Sequence, residues 1–261
     1  MKTDHEMRIA DCGLRMGKNH AATLAGSFRA PHPALRNRIA FTLIELLVVM
    51  AVIGVLAAML LGVVGGVKKK QYIYNTQAEM EKIETALERY KAAYGAYPPT
   101  SPAPPTSTLV NPLFYELMGT IYSPSADNYT NLDGSLPALT TAYVKSAFGV
   151  GGFVNCTKPG AGEDSAKARS FISDLRANQI YNFTNSTTGP LGVNLLIGSV
   201  NGPDATYKPL GLADLNPWRY NSSNPTNNPG SYDLWIQLVV GGKTNLICNW
   251  SKQVQINSPL P

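Results

Sequence analysis

A single carboxylate, Glu45, stands at the head of a long apolar run, and its type and position suggest chemistry. No charged residue occurs from Leu46 to Val67, so this acid would face lipid or apolar protein surface. A carboxylate near the centre of a bilayer costs about 2.5–3.5 kcal/mol, and such groups are usually paired and functional. The pattern therefore predicts that Glu45 is paired and functional. The alternative is an interfacial residue that reaches the headgroups.

Enzyme chemistry is disfavoured by the residues that the chain lacks. Its three histidines are His5, His20 and His32, which excludes a Ser-His-Asp triad, a Cys-His pair and histidine-ligated zinc from the rest of the chain. Gly242-Lys243-Thr244 is similar to the end of a phosphate-binding loop, but Gln237 stands where that motif needs glycine. No clustered acid pair suits hydrolysis. We expect no enzymatic activity, no cofactor and no metal.

The net charge of +5 is unevenly placed along the chain. Residues 1–40 hold seven Lys or Arg and three acids, whereas the remainder is close to neutral. A nucleic-acid-binding domain needs a clustered basic patch, and the only basic run after residue 40 is Lys68-Lys69-Lys70. We therefore expect no nucleic-acid partner.

The apolar run, residues 46–67, has the length of a transmembrane helix. Its 22 residues would extend about 33 Å as a helix, against a hydrocarbon core of about 30 Å. A buried helix in a soluble protein is the alternative, but such helices are rarely apolar on every face. Arg36 and Arg38 precede the run, which predicts a single-pass inner-membrane protein with a cytoplasmic N-terminus and a periplasmic C-terminal part.

The helix is predicted to continue beyond the apolar run to about Tyr94, as one element over 41–94. Its second half is amphipathic, with apolar residues at steps of three and four: Met80, Ile83, Leu87, Tyr90 and Tyr94. Gly95 and Pro98-Pro99 end it, and 95–112 is predicted to be a proline-rich linker.

Residues 113–261 are predicted to form a globular α+β head with long loops. Short helices are expected at 113–118 and 167–175, and successive antiparallel strands at 218–221, 231–240 and 244–250. Cys156 and Cys248 are a candidate disulfide, since an even pair in an oxidising compartment often forms one. Two separate buried thiols are the alternative.

The segment Arg38-Ile39-Ala40-Phe41-Thr42-Leu43-Ile44-Glu45-Leu46-Leu47-Val48-Val49 closely resembles the processing signal of type IV prepilins and type II secretion pseudopilins. The resemblance implies a leader, 1–40, that prepilin peptidase removes between Ala40 and Phe41. Ala40 replaces the family's usual glycine. The resemblance also implies N-methylation of Phe41, and makes Glu45 the fifth mature residue, which pairs with the amine of a neighbouring Phe41 during filament assembly.

Further resemblance covers residues 36–100 and 214–237. The segments that carry it are 92–99, 216–220 and 229–235, and they are most similar to the major pseudopilin of type II secretion systems. It implies a type IV pilin-like fold, in which the long helix packs on a small antiparallel sheet. It also implies a homo-oligomeric periplasmic pseudopilus that drives protein export, with other pseudopilins and an inner-membrane assembly platform as partners.

Related heads often hold calcium in an acidic loop after the strand that contains Tyr232-Asp233. Here Asp233 is the last acid of the chain, which argues against that site, and Glu163-Asp164 is an alternative location. Two other functions stay open. The chain could be a type IV pilin of an adhesive or motile surface fibre, or an enzyme or receptor with a simple membrane anchor.

Overall fold

The structure of the protein, a computed structural model, describes residues 41–100, 108–134, 137–158, 167–184, 191–200, 208–212, 215–240 and 242–258, without the side chains of 60–66. The chain divides into two compact units, Met1–Ile53 and Gly54–Pro261. The first unit contains the start of the long helix. The second contains the rest of that helix and all the sheets.

Helix α1, Leu43–Tyr94, is the observed form of the helix predicted at 41–94. Gly95 ends it in the left-handed region, with φ of 79°, and its N–H donates to the carbonyl of Lys91 over 2.8 Å. This is a glycine cap, which residues with a Cβ adopt at a cost. Gly95, which the sequence predicts as the stop of the helix, therefore ends α1 in the structure.

None of the helices, within the part of the chain that the structure describes, combines the length and the apolar character that crossing a bilayer requires. The span predicted at 46–67 is not supported by this finding. It includes residues 60–66, whose side chains lie outside the described residues.

A first sheet follows the helix along the chain. Its elements, in chain order, are α2 (Leu113–Met118), β1 (Thr120–Ser123), β2 (Asn128–Asn131), β3 (Leu139–Thr140), α3 (Thr141–Phe148) and β4 (Cys156–Thr157). The strand order is β3-β2-β1-β4, and β4 lies parallel to β1 while the other pairs are antiparallel. Helix α2 has the bounds predicted from the sequence.

A two-stranded pair and a larger sheet complete the second unit. A short 3₁₀ turn, Ala177–Gln179, leads into β5 (Ile180–Phe183), which pairs antiparallel with β6 (Val193–Leu196). The last sheet comprises β7 (Arg219–Asn221), β8 (Asp233–Val240), β9 (Lys243–Cys248) and β10 (Ser251–Ile256), in the order β10-β9-β8-β7 and antiparallel throughout. The three predicted strands are observed here, and β10 was not foreseen.

The main core is one apolar cluster that includes one face of α1, helices α2 and α3, and residues of all three sheets. Leu234, Ile236 and Leu238 share one face of β8 and are fully buried, and Trp235 and Gln237 on the other face are buried as well. Leu234, Ile236 and Leu238 belong to the main cluster with the buried face of α1, formed by Met80, Ile83, Ala86, Leu87 and Tyr90. The helix and the antiparallel sheets confirm the α+β class.

The segment predicted as a helix at 167–175 is not helical, so that prediction is wrong. Its backbone is held in non-helical contacts by other parts of the chain. The N–H of Phe171 donates to the carbonyl of Leu117 over 2.8 Å, and the backbone N–H and C=O of Arg169 both bond to the side chain of Asn155. Asp174 lies in the left-handed region at φ 57°. These tertiary contacts override a weak local helix propensity.

The proline-rich segment 95–112 is described except for 101–107. Its described part packs on the last sheet. The carbonyl of Pro98 accepts hydrogen bonds from the hydroxyls of Tyr220 and Ser222, at 3.0 and 2.6 Å. Asn111 donates to the carbonyl of Trp218 over 2.9 Å. Both ends of the segment are therefore fixed to the region of β7.

Candidate functional site

The candidate site is the start of α1, where Thr42 and Glu45 form a reciprocal cap. The backbone N–H and the hydroxyl of Thr42 donate to Oε2 of Glu45, at 2.9 and 2.7 Å. The backbone N–H of Glu45 in turn donates to the hydroxyl oxygen of Thr42 over 3.3 Å. Thr42 is the residue before the helix and Glu45 its third residue, which is the spacing of a capping box. The sequence pattern Thr-x-x-Glu before an apolar run was the signal for this feature.

The electrostatics of this helix start favour an ionised Glu45. Hydrogen bonds from the side chain and then the backbone of Thr42 lower the pKa of the carboxyl below its ordinary value. A helix N-terminus carries partial positive charge, which also favours a carboxylate in the first turn. Phe41 precedes the cap, and its side chain is 77% exposed.

Two of the predicted site residues lie in the described part of the chain. Phe41 precedes α1 and Glu45 is its third residue, and the hydrogen bonds of Glu45 at this position are to Thr42. Ala40, on the other side of the predicted cut, lies outside the described residues, as does the rest of the predicted leader, 1–40. The described part of the site therefore consists of an exposed, capped carboxylate four residues after Phe41.

Cys156 and Cys248 do not form the predicted disulfide, since both thiols are free and buried. Cys156 lies in β4, within the main apolar cluster. Cys248 ends β9 and belongs to a second, small cluster with Trp235 and Leu246. Burial raises the pKa of both thiols, which disfavours the reactive thiolate. The alternative of two separate buried thiols describes the structure.

No group of three or more metal-ligating side chains occurs within the described ranges. Asp233 instead organises the loop before it. Its carboxylate accepts the backbone N–H groups of Thr226, Asn227 and Asn228, at 2.8 to 2.9 Å. The alternative calcium residues, Glu163-Asp164, lie outside the described residues.

Sequence reasoning missed a buried polar network around Glu116, which is fully shielded from solvent. Its Oε2 accepts the hydroxyl of Tyr90 and the N–H of Asn155, both at 2.9 Å, and its Oε1 accepts the N–H of Val154 at 2.9 Å. Burial raises the pKa of this carboxyl, and the hydrogen bonds oppose that shift. Nothing in the local pattern around residue 116 distinguishes a buried acid from a surface one.

A polar groove of about 370 Å³ runs beside α1. The carboxylate of Glu79 accepts the N–H of Ser199 at 3.0 Å and also its hydroxyl, and Lys82 Nζ donates to the carbonyl of Asp174 over 3.2 Å. Acidic, basic and amide side chains all line the groove: Asn75, Glu79, Lys82, Asp174, Arg176 and Gln179. With charges of both signs, these residues do not point to one class of ligand.

Residues 35–61 match the prokaryotic N-terminal methylation motif. The matched range contains the predicted cut, Phe41, Glu45 and the first turns of α1. This motif indicates a type IV pilin-like substrate of prepilin peptidase. Neither the curated proteins nor the solved structures gave a match to the chain.

Proposed function

We propose that this protein is a structural subunit of a type II secretion pseudopilus. Prepilin peptidase cleaves it between Ala40 and Phe41, the new amino group of Phe41 is methylated, and the mature chain joins a helical filament. The observation that carries this proposal is the methylation motif at 35–61, together with the placement of Glu45 one turn after Phe41. The role is structural and not enzymatic.

Before assembly, the mature subunit resides in the inner membrane through residues 46–67, with its N-terminus cytoplasmic and its head periplasmic. Support for this step comes from the sequence: a charge-free run of 22 residues preceded by Arg36 and Arg38. The methylation motif supports a membrane-associated route of assembly.

In the filament, Glu45 pairs with the amine of Phe41 in a neighbouring copy. In the single chain its carboxylate is already occupied by donors of Thr42, so that the acid is oriented towards the chain terminus. Peptidase cleavage creates an ammonium group one residue before this cap. A misaligned neighbour would leave an ammonium and a carboxylate unpaired in an apolar environment, which is costly. Pairing would therefore fix the axial register of the subunits.

The pseudopilin is favoured over the type IV pilin by the sequence of the head. The Tyr97-Pro98 step and the segment Tyr232-Asp233-Leu234-Trp235 resemble the major pseudopilin. The second segment opens β8, and the first lies where Tyr97 packs edge-to-face on Tyr232, with ring centroids 4.7 Å apart. A type IV pilin of a surface fibre is the alternative function.

Processing is tested by coexpression with an active or an inactive prepilin peptidase, followed by intact mass measurement. The expected product lacks residues 1–40 and carries one methyl group on Phe41. Glu45→Val should still be processed but should not enter filaments. Thr42→Val is the matched control: it removes the capping hydroxyl and keeps the carboxylate, so assembly should persist. Loss of assembly in both variants would assign Glu45 to helix capping alone.

A deletion strain separates the remaining functions. Retention of exported proteins in the periplasm, restored by the wild-type gene, supports the pseudopilus. Loss of long surface fibres with normal export would assign the chain to a type IV pilus. A chain that active peptidase does not shorten would favour a simple membrane anchor and overturn the proposal.

A further inference from the structure

Three acids form a strip on the solvent side of α1. Glu81, Glu84 and Glu88 are spaced by three and four residues, which places them on one helix face. Glu81 and Glu88 are exposed and Glu84 is half-buried. We call these three residues the acidic strip. Within the described part of the chain, none of them forms an ion pair; Glu88 accepts a hydrogen bond from the hydroxyl of Tyr97 at 2.9 Å.

The acidic strip repels itself within one copy. Partial burial raises the pKa of Glu84, and the negative charges of Glu81 and Glu88 raise it further. Like charges three or four residues apart destabilise a helix. Two cations on the same helix have other contacts. Lys82 donates to the carbonyl of Asp174 over 3.2 Å. Lys91 donates over 3.3 Å to the hydroxyl of Tyr97, which in turn donates to Glu88.

A complementary cluster occurs earlier on the same helix. Lys68 and Lys70 are exposed and Lys69 is half-buried, and we call them the lysine triplet. Successive helical residues lie about 100° apart, so the three side chains spread over about 200° of the helix circumference. The triplet can therefore approach a neighbour on more than one side. One turn later Tyr74 is 65% exposed and adds apolar surface to the same stretch.

The two clusters cannot meet within one straight helix, because the residues that separate them fix their distance. From Lys68 to Glu81 is 13 residues and from Lys68 to Glu88 is 20 residues, or about 20–30 Å at 1.5 Å per residue. Parallel copies at equal height would bring lysines against lysines. Copies displaced along the helix axis by about 20–30 Å would bring the triplet of one against the strip of the other.

On the basis of the proposed filament, we propose that the lysine triplet of one copy binds the acidic strip of a second copy. The contact joins two different surfaces of the same chain. Such a contact is head-to-tail, and it extends into an open helical array when the rotation does not close. It supplements the pairing of Glu45, acts outside the apolar segment, and joins copies that are displaced by about 20–30 Å along the helix axis.

Anionic lipid headgroups would also attract the lysine triplet, since basic residues beside an apolar segment bind them. They leave the acidic strip without a cation from another molecule, however, and a second copy satisfies both clusters at once. A second copy and a lipid headgroup predict different results. If a second copy binds the lysine triplet, two oppositely reversed variants should rescue each other. If lipid binds it, they should not.

The experiment is a charge exchange in the full chain, expressed in a strain with its own assembly machinery. Variant one is K68E/K69E/K70E and variant two is E81K/E84K/E88K. A matched control, K145E/K243E/K252E, makes the same change of charge at exposed positions of the head. Assembled protein is measured as the fraction sheared from cells and sedimented. Cleavage at Phe41 is measured in parallel, because it reports insertion separately.

We expect each charge variant alone to be cleaved normally but to lose at least five-fold of its assembled fraction. The control should assemble like wild type. Coexpression of variants one and two should restore assembly. The native lysine triplet of variant two then faces the native acidic strip of variant one. The glutamates at 68–70 in variant one face the lysines at 81, 84 and 88 in variant two. Two variants that each add one cysteine, Lys70→Cys and Glu84→Cys, should cross-link to each other only when they are coexpressed and assembled. The native thiols of Cys156 and Cys248 are buried and should not compete.

Three results would overturn the inference. Normal assembly of both reversed variants would show that the charges do not contact each other. Loss in variant one without rescue by variant two, and without the cysteine cross-link, would assign the lysines to lipid. Equal loss in the control would show a general effect of charge. If wild-type protein itself is cleaved but never assembles, the proposed filament function fails, and this outcome is distinct from the others.

Discussion

The side-chain amide of Asn155 makes four hydrogen bonds inside the head, and replacing it is a direct test of this fold. Its Oδ1 accepts the hydroxyl of Tyr94 at 2.7 Å and the N–H of Arg169 at 2.9 Å. Its Nδ2 donates to the carbonyls of Glu116 and Arg169, at 2.7 and 2.6 Å. The amide thereby connects α1, α2 and the segment that follows β4.

Asn155→Ala should lower the free energy of unfolding by about 4 kcal/mol. Four hydrogen bonds are lost at about 1 kcal/mol each, and the partners remain in a site where Asn155 is fully buried. With a urea dependence of about 2 kcal/mol per molar, the midpoint should fall by about 2 M. The measurement is urea unfolding of the detergent-solubilised full chain, followed by tryptophan fluorescence, because Trp218 and Trp235 are buried.

Two comparisons make this result specific. Asn75→Ala removes an exposed asparagine of α1 and should change stability by no more than about 0.5 kcal/mol. Tyr94→Phe should cost about 1 kcal/mol in wild type and almost nothing in Asn155→Ala, since its hydroxyl has then lost its acceptor. A loss below about 1 kcal/mol in Asn155→Ala would refute the reasoning, because the four bonds would then carry no net stability.

Three further predictions concern the core and the thiols. Because the pKa of Glu116 is raised by burial, the stability it contributes is fully present below the ordinary value of 4.5 and is lost as pH rises through the raised value. Unfolding of wild type should therefore become easier over that pH range, whereas Glu116→Gln should lack this slope; parallel pH profiles would contradict it. Leu87→Ala, at a fully buried position of α1, should cost about 2–5 kcal/mol in the same urea assay, and a cost under 1 kcal/mol would mean that the site is not in the core. Cys156 and Cys248 should both resist a thiol reagent in the native protein and both react after unfolding without reductant; a mass two hydrogens lower would show a disulfide instead.

The sequence predicted the elements that carry strong local signals. The apolar residues around Leu87 on α1 recur at helical spacing. Gly95 ends the helix at a positive φ, which glycine adopts without strain because it has no Cβ. The mainly apolar run along β8 likewise marks a strand, and nearly all of its residues are buried on both faces. At the candidate site, the spacing of Thr42 and Glu45 is itself the local signal of a helix start and of its cap.

The elements that failed depend on contacts between distant residues. The segment at 167–175 has helical composition, but the backbone N–H and C=O of Arg169 bond to the side chain of Asn155 and not to helical partners. The disulfide failed for a similar reason, since pairing of cysteines is decided by the sheets that hold them. Cys156 is in the first sheet and Cys248 in the last. Burial of Glu116 is also invisible locally, because its partners come from α1 and the chain before β4.

Strand β10, Ser251–Ile256, has a consequence for crowding. It lies at the end of the strand order β10-β9-β8-β7, so within the described chain one of its sides has backbone groups open to a further strand. Many identical heads packed at high density would be at risk of fusing through such open edges. Two features counter this risk: the exposed Lys252, and the break in register between Ser251 and Gln255. They would let neighbouring heads touch reversibly without joining their sheets into amyloid-like aggregates.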